Sequence, residues 1–408
     1  MKATKYLLIG GGLASGQAAK QLREQDPHGP ITMVGAEPYV PYDRPPLSKK
    51  FLRGAKPREQ LFFDPEQYFH DHKIDLALGV AVQRLDPGNK TATLANGDVI
   101  AFEKALIATG GRPVRLKLPG GDLPGVHYLR TLDDSASIAA EAGPGKRAVL
   151  VGAGFIGMEV AASLAQLGVQ VTVIEAQRHI WPRFADDALA GFFQDYCSRK
   201  GIVFQTNEMT AEIRGQASCS SVLTRSGKEI PCDLICIGVG IVPNVEPAQD
   251  AGLKVDNGIV VNEYLQTSNP DIYAAGDVAN YLDPIFGKRR RVEHWGHAEY
   301  CGQLAGQNMA GASNKYDLLT YVWSDIFDLH LEFAGDESEH DQALVRGRFQ
   351  DNSFTILYLK QHKVTAYFAV NTDAKQFPVL QRLIRRRIDL TGRDAQLQDA
   401  TFEIKALL

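Results

Sequence analysis

Two glycine-rich segments, each between an apolar run and a helical pattern, constrain the fold of this 408-residue chain more than any other feature. The first reads LLIGGGLASG over residues 7–16, and the second reads VLVGAGFIGMEVA over residues 149–161. A single G-x-G-x-x-G motif is a weak signal because this spacing also occurs by chance. Two such motifs, each in a strand–turn–helix context, predict two Rossmann-like dinucleotide-binding domains. A chain that holds two dinucleotides is expected to pass electrons between them.

The first glycine segment has small residues where a sharp turn and a close phosphate contact require them. Residues 5–9 predict a short strand, and a helix from Leu13 to about Glu24 follows the turn. Gly12 lets the backbone approach a pyrophosphate, which the free N–H groups at the helix N-terminus can bind. Ser15 replaces the third glycine, and a side chain this small still permits close helix–strand packing. The candidate dinucleotide contacts are Gly10, Gly12, Leu13, Ala14 and Ser15.

An acidic residue follows the second predicted strand, although not at the position of the strict pattern. The strand over residues 31–34 ends near Glu37, whose carboxylate can accept a hydrogen bond from a ribose hydroxyl. The strict pattern would place this acid at residue 35, which is a glycine. Glu37 is therefore a candidate ribose ligand, and a solvated loop glutamate is the alternative.

The second glycine segment satisfies the full G-x-G-x-x-G pattern at residues 152–157. A strand over residues 171–174 ends directly in Glu175, about twenty residues beyond the glycines, where a ribose-binding acid is expected. A carboxylate there bonds both ribose hydroxyls and repels a 2′-phosphate, so NADH is predicted over NADPH. Arg178 can accept that phosphate and keeps NADPH as the alternative. The candidate contacts are Gly152, Gly154, Phe155, Ile156, Gly157, Glu159, Glu175 and Gly240.

Composition and charge exclude several other classes of protein. A formal net charge of -4 and a pI near 6.2 do not suit a nucleic-acid-binding protein, which normally carries a basic excess. No apolar run approaches the ~20 residues that span a bilayer. The chain enters a predicted strand almost at once, so no signal peptide is expected before the fold.

The five cysteines are scattered and odd in number, which favours reduced thiols in a cytoplasmic protein over a disulfide framework. Cys232 and Cys236 lie in one predicted buried strand, where their separation in sequence corresponds to about 13 Å. That distance is too long for a disulfide or a shared metal ion, so both are interpreted as small apolar core residues. Iron–sulfur and zinc spacings are absent from the sequence, and no metal site is predicted.

Further motifs carry a resemblance to a known family. They are PYDRPPLSK at 41–49, ATGGRP at 108–113, AAGD at 274–277, EHW at 293–295 and YVWSDIFDL at 321–329. Together with the glycine segments, they resemble the FAD-dependent pyridine nucleotide oxidoreductase superfamily. The motif at 41–49 is the most specific one. It resembles the ferredoxin reductases of bacterial oxygenase and cytochrome P450 systems, whose relatives include rubredoxin reductase and apoptosis-inducing factor.

The resemblance implies an α/β, glutathione-reductase-like fold in which FAD occupies the first glycine segment and NADH the second. Gly276 and Asp277 bind the flavin's ribityl and pyrophosphate region in such proteins, far from the first segment in sequence. The FAD-binding domain is therefore expected to be discontinuous, with residues 1–115 and 248–317 enclosing an NADH-binding domain at 116–247. A C-terminal α+β domain at 318–408 would follow.

The resemblance also implies roles for individual side chains. Arg44 and Lys49 contact FAD, and Lys49 lies near the isoalloxazine N5 and pairs with Glu159. A buried cation would stabilise the anionic reduced flavin, and the carboxylate would satisfy the cation. Trp295 lies beside the flavin's pyrimidine end. Without the family, Lys49 would be interpreted as a solvated loop charge and Trp295 as a core residue. The remaining implied FAD contacts are Thr109, Arg112, Gly276, Asp277 and His294.

One departure from the superfamily narrows the chemistry. Disulfide reductases carry a cysteine pair after the first glycine segment, and related peroxidases carry one cysteine, but residues 42–61 contain none. Electrons are therefore expected to leave the flavin directly for a small iron–sulfur protein such as a ferredoxin, Rieske-type ferredoxin or rubredoxin. That partner, expected to act in trans, would feed an oxygenase or P450. The alternatives are an NADH-sensing flavoprotein like apoptosis-inducing factor and an NADH oxidase.

The C-terminal part predicts a β-hairpin and a helix, and it carries one of two basic clusters. Residues 354–359 and 364–370 alternate as paired strands do, and a helix over 374–386 follows. The basic clusters are GKRRRVEHW at 287–295 and RLIRRRIDL at 382–390. Each cluster is either a solvated face or a docking surface for an acidic iron–sulfur protein, because opposite charges steer encounter.

Overall fold

The computed structural model describes residues 1–181 and 186–408, which form two compact units. The first unit comprises residues 1–43, 58–112 and 242–321. The second unit comprises residues 44–57, 113–241 and 322–408. This division assigns the motif around Lys49 to the same unit as the second glycine segment. The domain boundaries expected from the sequence are finer than these two units and stay a prediction.

The first unit is built on a seven-stranded sheet in which the initial strand Lys2–Ile9 is central. This strand pairs in parallel with Ile31–Gly35 on one side and Val99–Ile107 on the other, with Leu8 opposite both Met33 and Leu106. Leu7, Leu8 and Leu106 are fully buried, which explains the near-continuous apolar sequence of these strands.

Strands outnumber helices in the first unit. The strands are, in chain order, Lys2–Ile9, Ile31–Gly35, Ile74–Leu78, Val82–Asp86, Thr91–Leu94, Val99–Ile107, Ile259–Val260, Ile272–Ala274, Ala279–Leu282 and Arg289–Arg290. The helices are Leu13–Gln25, Glu66–Asp71, Glu246–Asp250 and Trp295–Met309, with 3-10 turns at Arg58–Leu61 and Gly276–Val278. Two short strands, Gly111–Pro113 and Ile241–Pro243, lie where the chain passes from one unit to the other. We call Leu13–Gln25 the first glycine-loop helix and Trp295–Met309 the Trp295 helix.

The second unit contains a five-stranded parallel sheet and a five-stranded C-terminal sheet. The parallel sheet has the order Val203–Thr206, Gln170–Glu175, Arg147–Val151, Leu234–Ile237 and Val126–Tyr128. The C-terminal sheet has the order Tyr321–Ile326, Leu329–Gly335, Lys363–Val370, Ser353–Lys360 and Gln342–Arg348. A three-stranded antiparallel sheet is formed by Thr210–Gly215, Cys219–Thr224 and Glu229–Pro231. These sheets confirm the predicted α/β class with its α+β C-terminal part.

The helices of the second unit are Leu132–Glu141, Phe155–Gln166, Asp187–Arg199, Phe377–Arg386 and Asp394–Gln398. The 3-10 turns are Pro45–Ser48, Phe349–Asp351, Ala374–Gln376 and Ile404–Leu407. We call Phe155–Gln166 the second glycine-loop helix and Phe377–Arg386 the arginine helix. The predicted helix over 374–386 is therefore a 3-10 turn followed by an α-helix with proline in its first turn.

The predicted C-terminal hairpin is confirmed, with strands Ser353–Lys360 and Lys363–Val370. Gln361 and His362 form its two-residue loop, and both have positive φ (49° and 59°), which suits a type I′ turn. The prediction that Cys232 and Cys236 share one strand is wrong. Cys232 lies between two strands because the next residue, Asp233, turns away to bind the Arg147 backbone N–H and guanidinium. Both cysteines are nevertheless free and buried.

No helix within the described residues combines the length and the apolar character needed to cross a bilayer. Over the same residues, no group of three or more His, Cys, Asp or Glu side chains has an arrangement that could hold a metal ion.

Candidate functional site

The first glycine loop has the backbone geometry of an anion cradle. Gly10 has φ +122°, and an added Cβ there would lie 2.2 Å from the Ala108 carbonyl oxygen, so only glycine fits. Gly12 is the N-cap of the first glycine-loop helix, and a Cβ built on it meets no described heavy atom within 4 Å. Open space therefore lies in front of the free N–H groups of that helix, where a pyrophosphate fits.

Small residues bring three distant segments together around this loop. The Trp295 helix packs backbone to backbone on the first glycine-loop helix, because a Cβ on Gly302 would lie 2.3 Å from the Ala14 carbonyl oxygen. Gly276, with φ +73°, also faces Ala14, because a Cβ added to Gly276 would lie 3.4 Å from the Ala14 Cβ. The Ser15 hydroxyl is fully buried and has no hydrogen-bond partner among the described residues. The predicted set of Gly10, Gly12, Ala14, Ser15 and Gly276 is thus one cluster.

The acid at Glu37 has a local partner that the sequence did not predict. Its carboxylate accepts a hydrogen bond from the Tyr42 hydroxyl at 2.6 Å. Residue 35 is glycine because a Cβ there would lie 3.2 Å from the Gly11 Cα, too close for any side chain without movement of the loop. The backbone contact between the loop and the second strand therefore displaces the acid to Glu37, which is half-exposed.

Thr109 and Arg112 fix the segment that returns into the first unit. The Thr109 hydroxyl donates to the Asn244 carbonyl oxygen at 2.7 Å, and the Arg112 guanidinium donates to the Asn244 side-chain oxygen at 2.7 Å. Arg112 also pairs with Glu246 at 2.6 Å and holds the pKa of that carboxyl below its usual range. Both residues therefore have a structural task, and their FAD contacts stay a prediction.

Trp295 begins its helix, and its buried indole N–H finds no partner among the described residues. The His294 imidazole caps this helix by accepting a hydrogen bond from the Gly296 N–H at 3.3 Å. The Trp295 ring contacts Phe63, with ring centroids 6.4 Å apart, but its Nε1 has no hydrogen-bond partner in the described part of the chain. A buried unpaired donor is costly, so this N–H fits an acceptor on a bound ligand.

A buried polar cluster that the sequence did not reveal lies close to the start of the Trp295 helix. His297 is completely buried and stacks on Tyr281, and its Nδ1 lies 3.2 Å from the Tyr316 hydroxyl. Burial lowers the pKa of His297 to about 4, and it raises the pKa of the adjacent Cys301 thiol to about 12. Both side chains are therefore neutral at pH 7, and Cys301 is not a reactive thiolate.

The second glycine loop repeats the geometry of the first. Gly152 has φ +100°, and an added Cβ would lie 2.6 Å from the Gly238 carbonyl oxygen. Gly154 caps the second glycine-loop helix, and its missing Cβ leaves a space that no described atom fills within 4 Å. Gly157 allows the helix to approach the loop, since its Cβ would lie 2.2 Å from the Gly152 carbonyl oxygen. Gly240, with φ +109°, also faces open space.

Two exposed apolar side chains flank this loop, and a third apolar side chain packs inward. Ile156 and Val239 are unusually exposed for their type, at 49% and 39%. Phe155 instead packs on the buried Trp181, with ring centroids 5.4 Å apart. Ile156 and Val239 are therefore available to a ligand, whereas Phe155 mainly supports the core.

Glu175 ends its strand as the pattern requires and holds the second loop. Its two carboxylate oxygens accept hydrogen bonds from the Ala153 N–H at 2.8 Å and from the Gln177 N–H at 2.9 Å. Each carboxylate oxygen can accept a further hydrogen bond, which leaves acceptors for ribose hydroxyls. Arg178 pairs with Asp187 at 3.3 Å, and both side chains are exposed.

The resemblance-based pair Lys49–Glu159 forms in the second unit. Lys49 Nζ lies 2.8 Å from a Glu159 carboxylate oxygen, and the two side chains are 11% and 4% exposed. The ammonium also lies 5.1 Å from the centre of the Trp323 ring, a cation–π distance. Lys49 is therefore a buried, paired cation and not a solvated loop charge. Arg44 donates to the Arg130 carbonyl oxygen in the same unit.

The arginines of the two basic clusters lie in different surroundings. Arg289 donates to the backbone oxygens of Val261 and Asn280. Arg290 pairs with the buried Asp283 at 3.2 Å, and Arg291 pairs with Glu293 at 2.6 Å. These three side chains thus stabilise the first unit. In contrast, the arginine helix buries its apolar face, and its arginines Arg382, Arg385 and Arg386 lie outside the buried set.

Comparisons with known proteins agree with this geometry. Residues 4–302 match the family model of pyridine nucleotide-disulphide oxidoreductases, and residues 321–408 match the model of the reductase C-terminal domain. Rhodocoxin reductase of Rhodococcus erythropolis is 35% identical over 402 residues, which cover 98% of this chain and 93% of that protein. The ferredoxin--NAD(+) reductase component of the anthranilate 1,2-dioxygenase system of Burkholderia cepacia is 32% identical over the full length of both chains.

A solved structure shares the whole fold. The reductase in the covalent putidaredoxin reductase–putidaredoxin complex superimposes with a TM-score of 0.94 at 28% identity, covering 99% of this chain and 98% of that chain. The match to the oxidoreductase model covers both glycine loops, and the match to rhodocoxin reductase extends over 98% of the chain. This chain therefore belongs to the pyridine nucleotide-disulphide oxidoreductase family.

Proposed function

We propose that this chain is an FAD-dependent reductase that takes hydride from NADH and passes single electrons to a small iron–sulfur protein. The acceptor would be a ferredoxin, a Rieske-type ferredoxin or a rubredoxin, and the system would end in an oxygenase or a P450. The observation that carries the proposal is the buried pair of Lys49 and Glu159, together with the absence of cysteine from residues 42–61, the segment that contains Lys49. The relatives named as ferredoxin and rubredoxin reductases support it.

FAD is assigned to the first unit because its cradle fits a dinucleotide on three counts. These are the open space at Gly12, the unpaired Ser15 hydroxyl and the unpaired Trp295 N–H, all judged over the described residues. When bound, FAD accepts two electrons as a hydride and releases them one at a time. The proposed FAD contacts are Gly10, Gly12, Leu13, Ala14, Ser15, Glu37, Arg44, Lys49, Thr109, Arg112, Gly276, Asp277, His294 and Trp295. The FAD-binding domain would comprise residues 1–115 and 248–317.

NADH is assigned to the second glycine loop, in a domain of residues 116–247. The Glu175 carboxylate would bind the ribose hydroxyls and exclude a 2′-phosphate, while exposed Ile156 would cover an apolar part of the dinucleotide. The proposed NADH contacts are Gly152, Gly154, Phe155, Ile156, Gly157, Glu159, Glu175 and Gly240. On this proposal no side chain of the described residues needs to act as a nucleophile or as a general acid, because the protein's work is to bind and orient the cofactors.

The C-terminal domain, residues 318–408, is proposed to provide part of the docking surface. Arg382, Arg385 and Arg386 are exposed on the outer face of the arginine helix, opposite its buried apolar residues. An acidic iron–sulfur protein would be steered toward the outer-face arginines. A cytoplasmic location is proposed because all five cysteines are free and buried.

Rapid mixing of the FAD-loaded chain with NADH tests the proposal. The flavin absorbance should bleach within the first turnover, and it should recover quickly when a small [2Fe–2S] ferredoxin or a rubredoxin is added. Recovery only on the slow timescale of air oxidation, with every acceptor tried, would instead support an NADH-sensing flavoprotein. Brisk oxygen consumption without a partner would support an NADH oxidase.

A further inference from the structure

Glu159 accepts hydrogen bonds from two serines in addition to the ammonium of Lys49. Ser324 donates to one carboxylate oxygen at 2.6 Å, and Ser48 donates to the other oxygen, which also binds Lys49. Ser48 ends the 3-10 turn Pro45–Ser48, whereas Ser324 lies in strand Tyr321–Ile326 of the C-terminal sheet. Both serines are almost completely buried, at 2% and 1% exposure. Two distant parts of the sequence, residues 48–49 and Ser324, therefore converge on the Glu159 carboxylate.

The arrangement matches the ionised form of Glu159. An ionised carboxylate accepts hydrogen bonds and donates none, and all three neighbours of Glu159 are donors. A buried ion pair is stable only if further hydrogen bonds satisfy the lone pairs that its partner leaves over. The serine hydroxyls meet this need, so Lys49 does not have to satisfy the carboxylate alone. Its ammonium keeps a second contact, with the Trp323 ring.

Two further buried serines of this region donate to backbone oxygens and not to Glu159. Ser163 donates to the Ser48 carbonyl oxygen at 2.7 Å, and Ser135 donates to the Leu47 carbonyl oxygen at 2.6 Å. Ser163 lies one turn after Glu159 on the second glycine-loop helix. Its hydroxyl donates to a backbone oxygen and has no contact with the carboxylate or with the Ser48 hydroxyl. Ser163 is therefore a matched control.

We propose that Ser48 and Ser324 are positioning residues that set the charge which Lys49 presents to the flavin. This inference rests on the proposed function, since it requires Lys49 to lie beside the flavin. Each serine hydroxyl directs the positive end of its dipole at the Glu159 carboxylate and partly offsets the negative charge of that carboxylate. The carboxylate therefore neutralises the positive charge of the Lys49 ammonium less completely. Positive charge favours the more negative, reduced state of a nearby cofactor. Loss of either hydroxyl therefore makes the flavin harder to reduce.

The test compares the midpoint potential of bound FAD in the full-length Ser48→Ala, Ser324→Ala, Ser163→Ala and Lys49→Met variants. Ser48→Ala and Ser324→Ala should each shift the potential to more negative values and slow flavin bleaching by NADH about five- to tenfold, the effect of losing one buried hydrogen bond. Ser163→Ala should keep the parent potential even if its thermal midpoint falls. Ser324→Thr, which retains the hydroxyl, should restore the parent potential.

Each contrary outcome has a separate meaning. Unchanged potentials in both serine variants, or an equal shift in Ser163→Ala, would reduce the serines to structural residues and overturn the inference. An unchanged potential in Lys49→Met would overturn the inference on another ground, because it would show that Lys49 does not lie beside the flavin as proposed. If Ser324→Ala fails to bind FAD, Ser324→Cys keeps the size with a weaker donor and should show a smaller shift of the same sign.

Discussion

The two glycine loops share one backbone design but differ in the carboxylate that accompanies each. In both loops a positive-φ glycine abuts a carbonyl oxygen, and the helix N-cap glycine faces open space. In the first loop the strand ends in Gly35, where an added Cβ would lie only 3.2 Å from the Gly11 Cα, so close packing disfavours an acid there. In the second loop, Glu175 occupies that position and binds the Ala153 N–H. The backbone of each loop thus creates the site for a dinucleotide, and the acid determines how the ribose of that dinucleotide is bound.

The largest expected effect follows from replacing the turn glycine of each loop, and the two replacements should affect different cofactors. Gly10→Ala would place a Cβ 2.2 Å from a carbonyl oxygen, and Gly152→Ala would place one at 2.6 Å. Gly10→Ala should purify without flavin, whereas Gly152→Ala should keep FAD and lose saturable reduction by NADH. Flavin absorbance per protein and NADH titration measure the two effects. A Gly152→Ala variant that also lost its flavin would show that the loops are not independent.

The N-cap glycines provide the matched control for that experiment. An added Cβ on Gly12 or Gly154 meets no described atom, and both residues have negative φ, so alanine should leave the thermal midpoint close to that of the parent. The same methyl group would occupy the space in front of the helix N–H groups. Dinucleotide affinity should therefore fall about tenfold or more although the fold is intact. A normal affinity would contradict the placement of the phosphates.

Acid should weaken the first unit through His297, whose pKa burial lowers to about 4. Between the ordinary histidine pKa of about 6.5 and a pH of about 4, the unfolded chain binds a proton that the folded unit excludes, so stability is lost as pH falls through that window. The loss is on the order of 3 kcal/mol at the lower end. In the second unit, the Arg147–Asp233 pair holds the pKa of Asp233 at about 2, so its contribution is lost only below the usual aspartate range.

Flavin release and hydrogen exchange, followed from neutral pH down to about 4.5, test this difference between the units. Flavin should be lost as the first unit opens, before exchange increases in the parallel sheet of the second unit. His297→Asn should flatten the dependence of the first unit on pH, at the cost of lower stability at neutral pH. Simultaneous opening of both units at the same pH would refute the role of His297.

A smaller effect is expected from Glu175→Gln. The neutral amide keeps the size but exchanges one acceptor oxygen for a donor, so a bond to the Ala153 or Gln177 N–H is lost, at roughly 1–3 kcal/mol. The KM for NADH should rise about tenfold and the preference over NADPH should narrow, while kcat with saturating NADH changes little. Arg178→Ala is the control, and it should leave the NADH constants unchanged because Arg178 pairs with exposed Asp187.

The smallest effect is expected at the acid of the first loop. Glu37 is half-exposed and shares its carboxylate with the Tyr42 hydroxyl, so Glu37→Gln should weaken FAD binding only about two- to fivefold. Tyr42→Phe should cause a similar change if the hydroxyl orients the carboxylate. FAD affinity can be measured by fluorescence recovery on dilution. A loss as large as that of Glu175→Gln would show that the two acids act alike.

The sequence was sufficient for features that depend on local pattern. Both glycine loops, the C-terminal hairpin and the Lys49–Glu159 pair were predicted, the last through family resemblance. Contacts between residues far apart in the sequence were not predicted. Ser324 is a polar residue within an aromatic strand, which is a usable signal, but no local rule connects it with Glu159, 165 residues earlier. The turn at Asp233 was missed because its cause is the guanidinium of Arg147, on another strand.

The backbone contact between the Trp295 helix and the first glycine-loop helix has a consequence for synthesis on the ribosome. Gly302 and Gly306 pack on Ala14 and Ala18, and strand Ile272–Ala274 pairs with Val99–Ile107 in the sheet of the same unit. The N-terminal segments are therefore synthesised before the Trp295 helix that packs on them, and this helix is complete only after Met309. During that interval their apolar faces are exposed, and apolar surface that is exposed in this way favours aggregation. The first dinucleotide site is thus begun at the start of translation and completed only after about three quarters of the 408 residues have been made.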